Sequence, residues 1–433
     1  MRTKLPSRAL NLGAPGSRVT RLELFYDLVF VFAFLNVSSL TEADFSVQGL
    51  VEALLVLSLL WWCWSGFAAL GNILRADQGV MPLLGFGVMA AVFVLALSTD
   101  TAFRKNPGSF DGLFVFACAY TLMWVILIAA LWSTVPAQRG PRLRSLVLTV
   151  PMVLGVALIV VGAIVPQRLF TSDVADDVRI GCWALALLVE YAVGLLLGRT
   201  GWRLRSMGHW AERHALIVLI ALGESVLALG VGATNRNGRP ISASVVVAAM
   251  LGIAVIAALW WLYFDVLASR VEQILHGVRG PERIPAARDV YTYLHLPLVI
   301  GVILFALGLE RLLGGIINRP EATAHSAVGG LDVVILLGGV VLYLLALVAV
   351  ELRVSGRVDV VLATSGALLV VLIPVAGQFP ALIGLAMLAV VTVATAVVQL
   401  AAKRGVRRRV RDLIQQEQDA LEAAASQWRQ RYL

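Results

Sequence analysis

Charge is scarce in this chain. Only 14% of its 433 residues are Asp, Glu, Lys or Arg, where soluble domains carry about 25%. A water-soluble globule of this size is therefore excluded. Cysteine is nearly missing: Cys63, Cys118 and Cys182 each lie inside an apolar stretch. No CxxC or Cys/His metal spacing exists, so neither a disulfide nor a bound metal is expected. Enzyme signatures are absent too. There is no GK[ST] phosphate loop, no HExxH and no GxSxG. Gly301 and Gly308 sit in apolar stretches with no strand before them, so they read as helix-packing glycines rather than a dinucleotide turn. No small-residue cleavage site ends the first apolar stretch, which is read as a retained helix. No enzyme activity and no cofactor is expected.

What the chain does contain is apolar sequence. Hydrophobic residues make up 59% of it, and the mean hydropathy is +0.86. They fall in twelve blocks, near 22–41, 48–70, 80–98, 111–133, 145–165, 179–198, 212–234, 241–268, 290–313, 328–350, 358–376 and 379–402. About 20 residues at about 1.5 Å each span about 30 Å of hydrocarbon. Inside lipid the backbone must bond within its own segment, so the blocks are helices. The expected fold is an all-α, polytopic membrane bundle of twelve transmembrane helices. It comprises a basic N-terminus (1–21), a transmembrane domain (22–402) and a basic C-terminal helix (403–433). Pro82, Pro151, Pro297 and Pro374 fall in or near block ends, where they mark first turns or kinks.

The net charge of +8 does not point to nucleic acid, because the basic residues sit in short segments between apolar blocks. With the N-terminus inside, 27 of the 35 Lys and Arg residues fall on the inner side. The other eight are Arg104, Lys105, Arg168, Arg179, Arg236, Arg239, Arg311 and Arg319. Missing one helix would spoil this bias, which places both termini in the cytoplasm. The inner side includes Arg2, Lys4, Arg8, Arg199, Arg203 and Arg279, while Asp44 falls in an outer loop. In the tail, Val410, Leu413, Ile414, Leu421 and Trp428 form a loose helical stripe behind a basic start suited to anionic lipid. Leu60-Trp61-Trp62-Cys63-Trp64 in the second block and Leu259-Trp260-Trp261-Leu262-Tyr263 in the eighth hint at a parallel six-plus-six repeat.

Charged side chains within spans each cost about 2.5–3.5 kcal/mol on the insertion scale, so they rarely face lipid. Candidate ion- or proton-binding residues are Glu23, Asp27, Glu190, His214, Glu224, Asp265 and His295. Glu23 and Asp27 are four apart and share a helix face. The topology places Asp27, His214, Asp265 and His295 at similar depth in the cytoplasmic third, with Glu224 deeper. Glu224 is flanked by Gly223 and Ser225, which permit a close backbone approach. Two readings compete. In one, these groups converge on a hydrated cavity and carry a cation or proton. In the other, Asp27 and Asp265 pair with Arg21, Arg213 or Arg270 and only lock the packing. Glu310-Arg311 reads as structural. Trp61, Trp62, Trp260, Trp261 and Tyr293 are candidates for lining a substrate cavity, against the alternative of packing or interface-belt residues.

The segment from Arg18 to Ala33 (RVTRLELFYDLVFVFA) resembles the opening of the bacterial low temperature requirement protein A (LtrA) family. So do Glu212 to Ser225 (ERHALIVLIALGES), Trp61-Trp62-Cys63-Trp64 with Asn72 and Asp77, Trp260 to Asp265, and Tyr293-Leu294-His295-Leu296-Pro297. After the second helix the family's acidic run is reduced here to Asp77. The resemblance implies a multi-pass protein of the bacterial inner membrane, linked by name to growth in the cold. It brings no settled substrate. The expected function is a secondary transporter or channel-like protein, coupled to protons or cations and moving a small solute or ion. The rival reading is a non-transporting protein that supports the envelope through lipid or partner binding. A lipid-directed enzyme using the His and carboxylate set comes last, since no nucleophile or metal motif supports it.

Overall fold

The computed structural model describes residues 18–43, 45–103, 111–135, 138–196, 204–234, 241–278, 282–318 and 330–432. Of the charges used for orientation, Arg2, Lys4, Arg8, Asp44, Arg104, Lys105, Arg199, Arg203, Arg236, Arg239, Arg279 and Arg319 lie outside the described residues.

Among the described residues the regular structure is helical and holds no strand. Helices α1 (Arg21–Ala43), α2 (Val47–Ile73), α3 (Met81–Phe103), α4 (Gly112–Ser133), α5 (Arg139–Ile164), α6 (Ser172–Leu196) and α7 (Met207–Thr234) follow the first seven apolar blocks. The eighth block is α8 (Ala243–Leu262), a π-helical turn (Tyr263–Leu267) and α9 (Ala268–Gly277). The ninth is α10 (Arg283–Ala287), a second π turn (Arg288–Tyr293) and α11 (His295–Asn318). Then come α12 (Gly330–Ser355), α13 (Val360–Ala376), α14 (Ala381–Ala402) and the tail helix α15 (Arg404–Tyr432). Among the described residues eleven spans are long and apolar enough to cross a membrane, and the eleventh of the twelve predicted blocks forms the shorter apolar helix α13. Its 17 residues match the lower limit of about 17 for a spanning helix.

Local chemistry sets the ends. Ser46, Asp111, Ser242 and Asp359 cap α2, α4, α8 and α13 by accepting from the backbone N–H three residues on, which satisfies one orphan donor of each helix. Gly79 takes φ 63° in the turn between α2 and α3, a conformation that suits a residue without Cβ. Pro297 lies in the first turn of α11, where its missing N–H is not needed.

The chain divides into two compact units: residues 1–224 with 279–303, and 225–278 with 304–433. They do not fall as two consecutive six-helix halves. In the first unit, α1 packs on α2 and α3, α4 on α3 and α5, and α6 on α5 and α2. Helix α2 is the centre: 78% of its spanning window is buried, against 28% for α6. Trp61 and Trp64 are buried on α2, as are Tyr26, Phe34, Trp124 and Trp183 on its neighbours. In the second unit, α12 packs on α13, α14 on α8 and α13, and α15 meets the first π turn.

Candidate functional site

Two helix starts in the first unit bring charged side chains together. On α1, Glu23 and Asp27 are each 1% exposed; on α7, Arg213 is 0% exposed. One arginine serves both carboxylates. Its Nη2 donates to Asp27 Oδ1 at 2.7 Å, and its Nη1 stands 3.4 Å from Glu23 Oε1. The guanidinium also lies over the rings of Trp64 and Phe67, at 5.7 and 5.6 Å from their centroids, where cation–π attraction replaces part of its lost hydration.

Each carboxylate is further held. Glu23 Oε2 accepts from the N–H and hydroxyl of Thr20 at 2.8 and 2.9 Å. Glu23 Oε1 lies 2.8 Å from His209 Nε2. Asp27 Oδ1 also accepts from Trp64 Nε1 at 2.9 Å, while Asp27 Oδ2 has no hydrogen-bond partner. Gly71 on α2 makes room for this arrangement: a Cβ there would stand 2.4 Å from Glu23 Oε1.

Asn72 fixes the state of His209. Its amide oxygen accepts from the backbone N–H of Arg205 and Ser206, at 2.8 and 3.4 Å. Its amide nitrogen donates to Ser206 O at 2.7 Å and faces His209 Nδ1 at 3.3 Å. Nδ1 is then an acceptor, so the ring proton sits on Nε2 and points at Glu23. The cluster therefore holds two carboxylates around one shared guanidinium in a water-poor place.

His214 adjoins this cluster within an aromatic cage. Trp61, Trp64, Trp210, Tyr291 and His295 surround it at centroid distances of 4.7–6.1 Å, with His295 at 5.4 Å. His214 Nδ1 lies 2.8 Å from Trp210 O, and His295 Nδ1 lies 2.8 Å from Val290 O. A carbonyl only accepts, so both rings carry their proton on Nδ1. His214 Nε2 is buried and has no hydrogen-bond partner. Trp61 Nε1 donates to Thr292 O at 2.9 Å, tying α2 to the second π turn. Such turns recur at functional sites in helices.

The structure thus joins Glu23, Asp27, His214, His295 and Trp61. It sets the other candidates elsewhere. Glu224 lies ten residues beyond His214, about 15 Å along α7, and its Oε1 accepts from Ser38 Oγ at 3.2 Å. The close backbone approach expected at Gly223 does not occur, since a Cβ there meets nothing within 4 Å. Glu190 faces Tyr120, whose hydroxyl is 3.4 Å from Oε2. Trp62 stacks on Tyr191 at 4.6 Å, and Tyr293 donates to Tyr191 O at 3.1 Å. Asp265 belongs to the second unit. Its partners are Arg407 and Arg411 of α15 rather than the expected Arg270, which pairs with Glu351. Trp260 and Trp261 are 40% and 43% exposed, so their neighbours leave a broad face open. Arg311 pairs with Asp332 at 2.7 Å, in keeping with a structural role. Sequence reading passed over His209. The available signal was its spacing: His209 and Arg213 are four apart on one face of α7.

The family described as "Bacterial low temperature requirement A protein (LtrA)" matches residues 18–397. The chain belongs to this family. Every residue of the LtrA chain's charge cluster, from Thr20 to His295, falls within the matched range. The LtrA chain is also 30% identical over 297 residues to an uncharacterised protein of Rhizobium meliloti (strain 1021), covering 66% of the chain and 67% of that relative. No solved structure matches the LtrA chain. With its spanning helices, this places a multi-pass membrane protein in a bacterial family.

Proposed function

We propose that this chain is a secondary transporter or channel-like protein of the bacterial inner membrane, with both termini in the cytoplasm. In it the Glu23–Asp27–Arg213 cluster carries the coupling proton or cation. The observation that carries this reading is the surplus carboxylate. Two buried acids share one arginine, and the unpartnered oxygen of Asp27 is where a proton or small cation completes the charge balance. His214 and His295 lie beside it on helix starts that the charge bias assigns to the cytoplasmic side, and Glu224 lies further along the same helix as His214. Groups spaced along one helix suit a route for protons between the cluster and the middle of the bundle. The deciding experiment is proton and cation flux in liposomes of the purified chain, beside Asp27→Asn and Glu224→Gln. Flux that Asp27→Asn abolishes supports the reading; flux unchanged in both variants overturns these assignments.

A second reading is favoured by α15. This long, basic and largely exposed helix suits lipid or partner binding in support of the envelope. A chain lacking residues 403–433 that keeps full activity counts against it.

A further inference from the structure

Apart from the charge cluster, the first unit holds a partly open cavity of about 100 Å³ between α2, α4, α5 and α6. Its wall is mainly apolar, with the aromatic rings of Trp62 and Trp124 and the side chains of Leu127 and Met152. Two polar residues, Ser65 and Glu190, interrupt it. Glycines let two of these groups reach their places. A Cβ at Gly66 would meet Trp124 at 3.1 Å, and a Cβ at Gly155 would meet Glu190 Oε1 at 2.2 Å.

Glu190 is 2% exposed. Tyr120 is its hydrogen-bond partner on Oε2, and Oε1 has none. The titratable groups close to it are Tyr120, Cys63 and Tyr191. None is a cation, and among the described residues no Lys, Arg or His pairs with Glu190. Trp62 Nε1 and Ser65 Oγ, also on the wall, are buried without a hydrogen-bond partner. A buried carboxylate with no counter-charge is costly, and so are orphaned donors. Two of these deficits are met at once by a molecule with a positive head for Glu190 and an acceptor oxygen for either Trp62 or Ser65. The aromatic rings then favour a cation over a neutral molecule. Its volume suits a small ligand: a closed engineered cavity of about 150 Å³ takes benzene.

We propose that this cavity is a binding site for a small organic ammonium ion, a protonated amine of a few carbons, with Glu190 as its counter-ion. A proton on Glu190 and the ammonium ion exclude each other, so the two exchange at this site. The inference concerns binding and does not depend on transport through the charge cluster, so the two readings fail separately.

The test is calorimetric titration of the purified full chain with propylammonium and 3-hydroxypropylammonium, with 1-propanol as the neutral isostere. The expected result is ammonium binding at least tenfold tighter than the alcohol, tighter again for the hydroxylated amine. Affinity should weaken by up to tenfold per pH unit between pH 8 and 6, the limit for one competing proton. In Glu190→Gln the ammonium preference and its pH dependence disappear. If that variant does not fold, Ala69→Leu, which fills the cavity from α2 without touching the carboxylate, must abolish binding. Equal affinity for amine and alcohol, no binding of either, or ammonium binding that survives both substitutions overturns the proposal.

Discussion

The two compact units treat buried charge differently. In the second, the named acids are matched by cations close at hand: Asp265 with Arg407, Glu351 with Arg270, Asp332 with Arg311 and Asp359 with Lys403. In the first, Glu23 and Asp27 share Arg213, and among the described residues Glu190 pairs with no Lys, Arg or His. The matched pairs are also less deeply placed; the side chains of Arg311 and Asp332 are 26% and 30% exposed, whereas Arg213 is 0%. Charge matched at a half-wet site stabilises modestly. Unmatched charge in a dry site persists where something else needs it, which is the reason the proposed coupling site lies in the first unit.

The sharpest way to break this contrast is to remove the shared cation. Arg213→Met leaves two acids buried without compensation, and breaking a buried pair this way destabilises by about 3–5 kcal/mol. Thermal unfolding in detergent should show a large fall in Tm. Adding Asp27→Asn to Arg213→Met should recover a substantial part of it, because one of the stranded charges is gone. A double variant no better than the single one would mean that packing of the guanidinium against Trp64 and Phe67, rather than charge, dominates. Next in size is Gly71→Ala. The new Cβ would stand 2.4 Å from Glu23 Oε1, and overpacking of this kind costs about 1–3 kcal/mol. Its signature is a lowered Tm, with a smaller penalty when combined with Glu23→Ala, which removes the obstructing carboxylate.

Much of this architecture is legible in the sequence, because lipid imposes a simple rule. All twelve apolar blocks reappear as helices, and both acids of α1 reach one site because four residues make about one turn. Pairing across helices is another matter. Depth along the membrane put Asp265 level with Asp27, yet depth says nothing about rotation, and Asp265 turns to the tail helix. Asn72 and His209 were opaque for the same reason. An amide earns its role only when two distant backbone N–H groups and an imidazole surround it, and no periodicity records that. The Glu190 cavity depends on glycines at 66 and 155, whose meaning rests on what packs against them.

The matched side of the comparison yields smaller effects. Asp265→Asn removes the anchor of Arg407 and Arg411 on the first π turn. Because these groups are partly exposed, the loss should be about 1–2 kcal/mol. It should register as faster proteolytic removal of α15 with little change in the Tm of the remaining bundle. Equal cleavage rates in wild type and variant would mean that other contacts hold the tail.

The smallest effect is set by pH where the start of α13 meets the end of α14. Burial pushes the Asp359 carboxyl up, but hydrogen bonds from Lys403, Gln399 and the Leu362 amide outweigh it and hold the group below its ordinary value. A depressed carboxyl stabilises the folded state above its unfolded value of about 3.9 and loses that contribution as pH falls through the folded value. Between pH 7 and 5, hydrogen exchange at the start of α13 and at Lys403, taken relative to the intrinsic amide rate at each pH, should therefore stay flat. It should quicken only below about pH 4, where protonation frees Lys403 and weakens the cap on Leu362. Asp359→Asn keeps a cap acceptor but drops the charge, so it should exchange faster at pH 7 and lose the acid-induced rise. A variant that still quickens below pH 4 would trace the acid response to another carboxylate, and the ion pairing of this unit would then count for less in holding its tail.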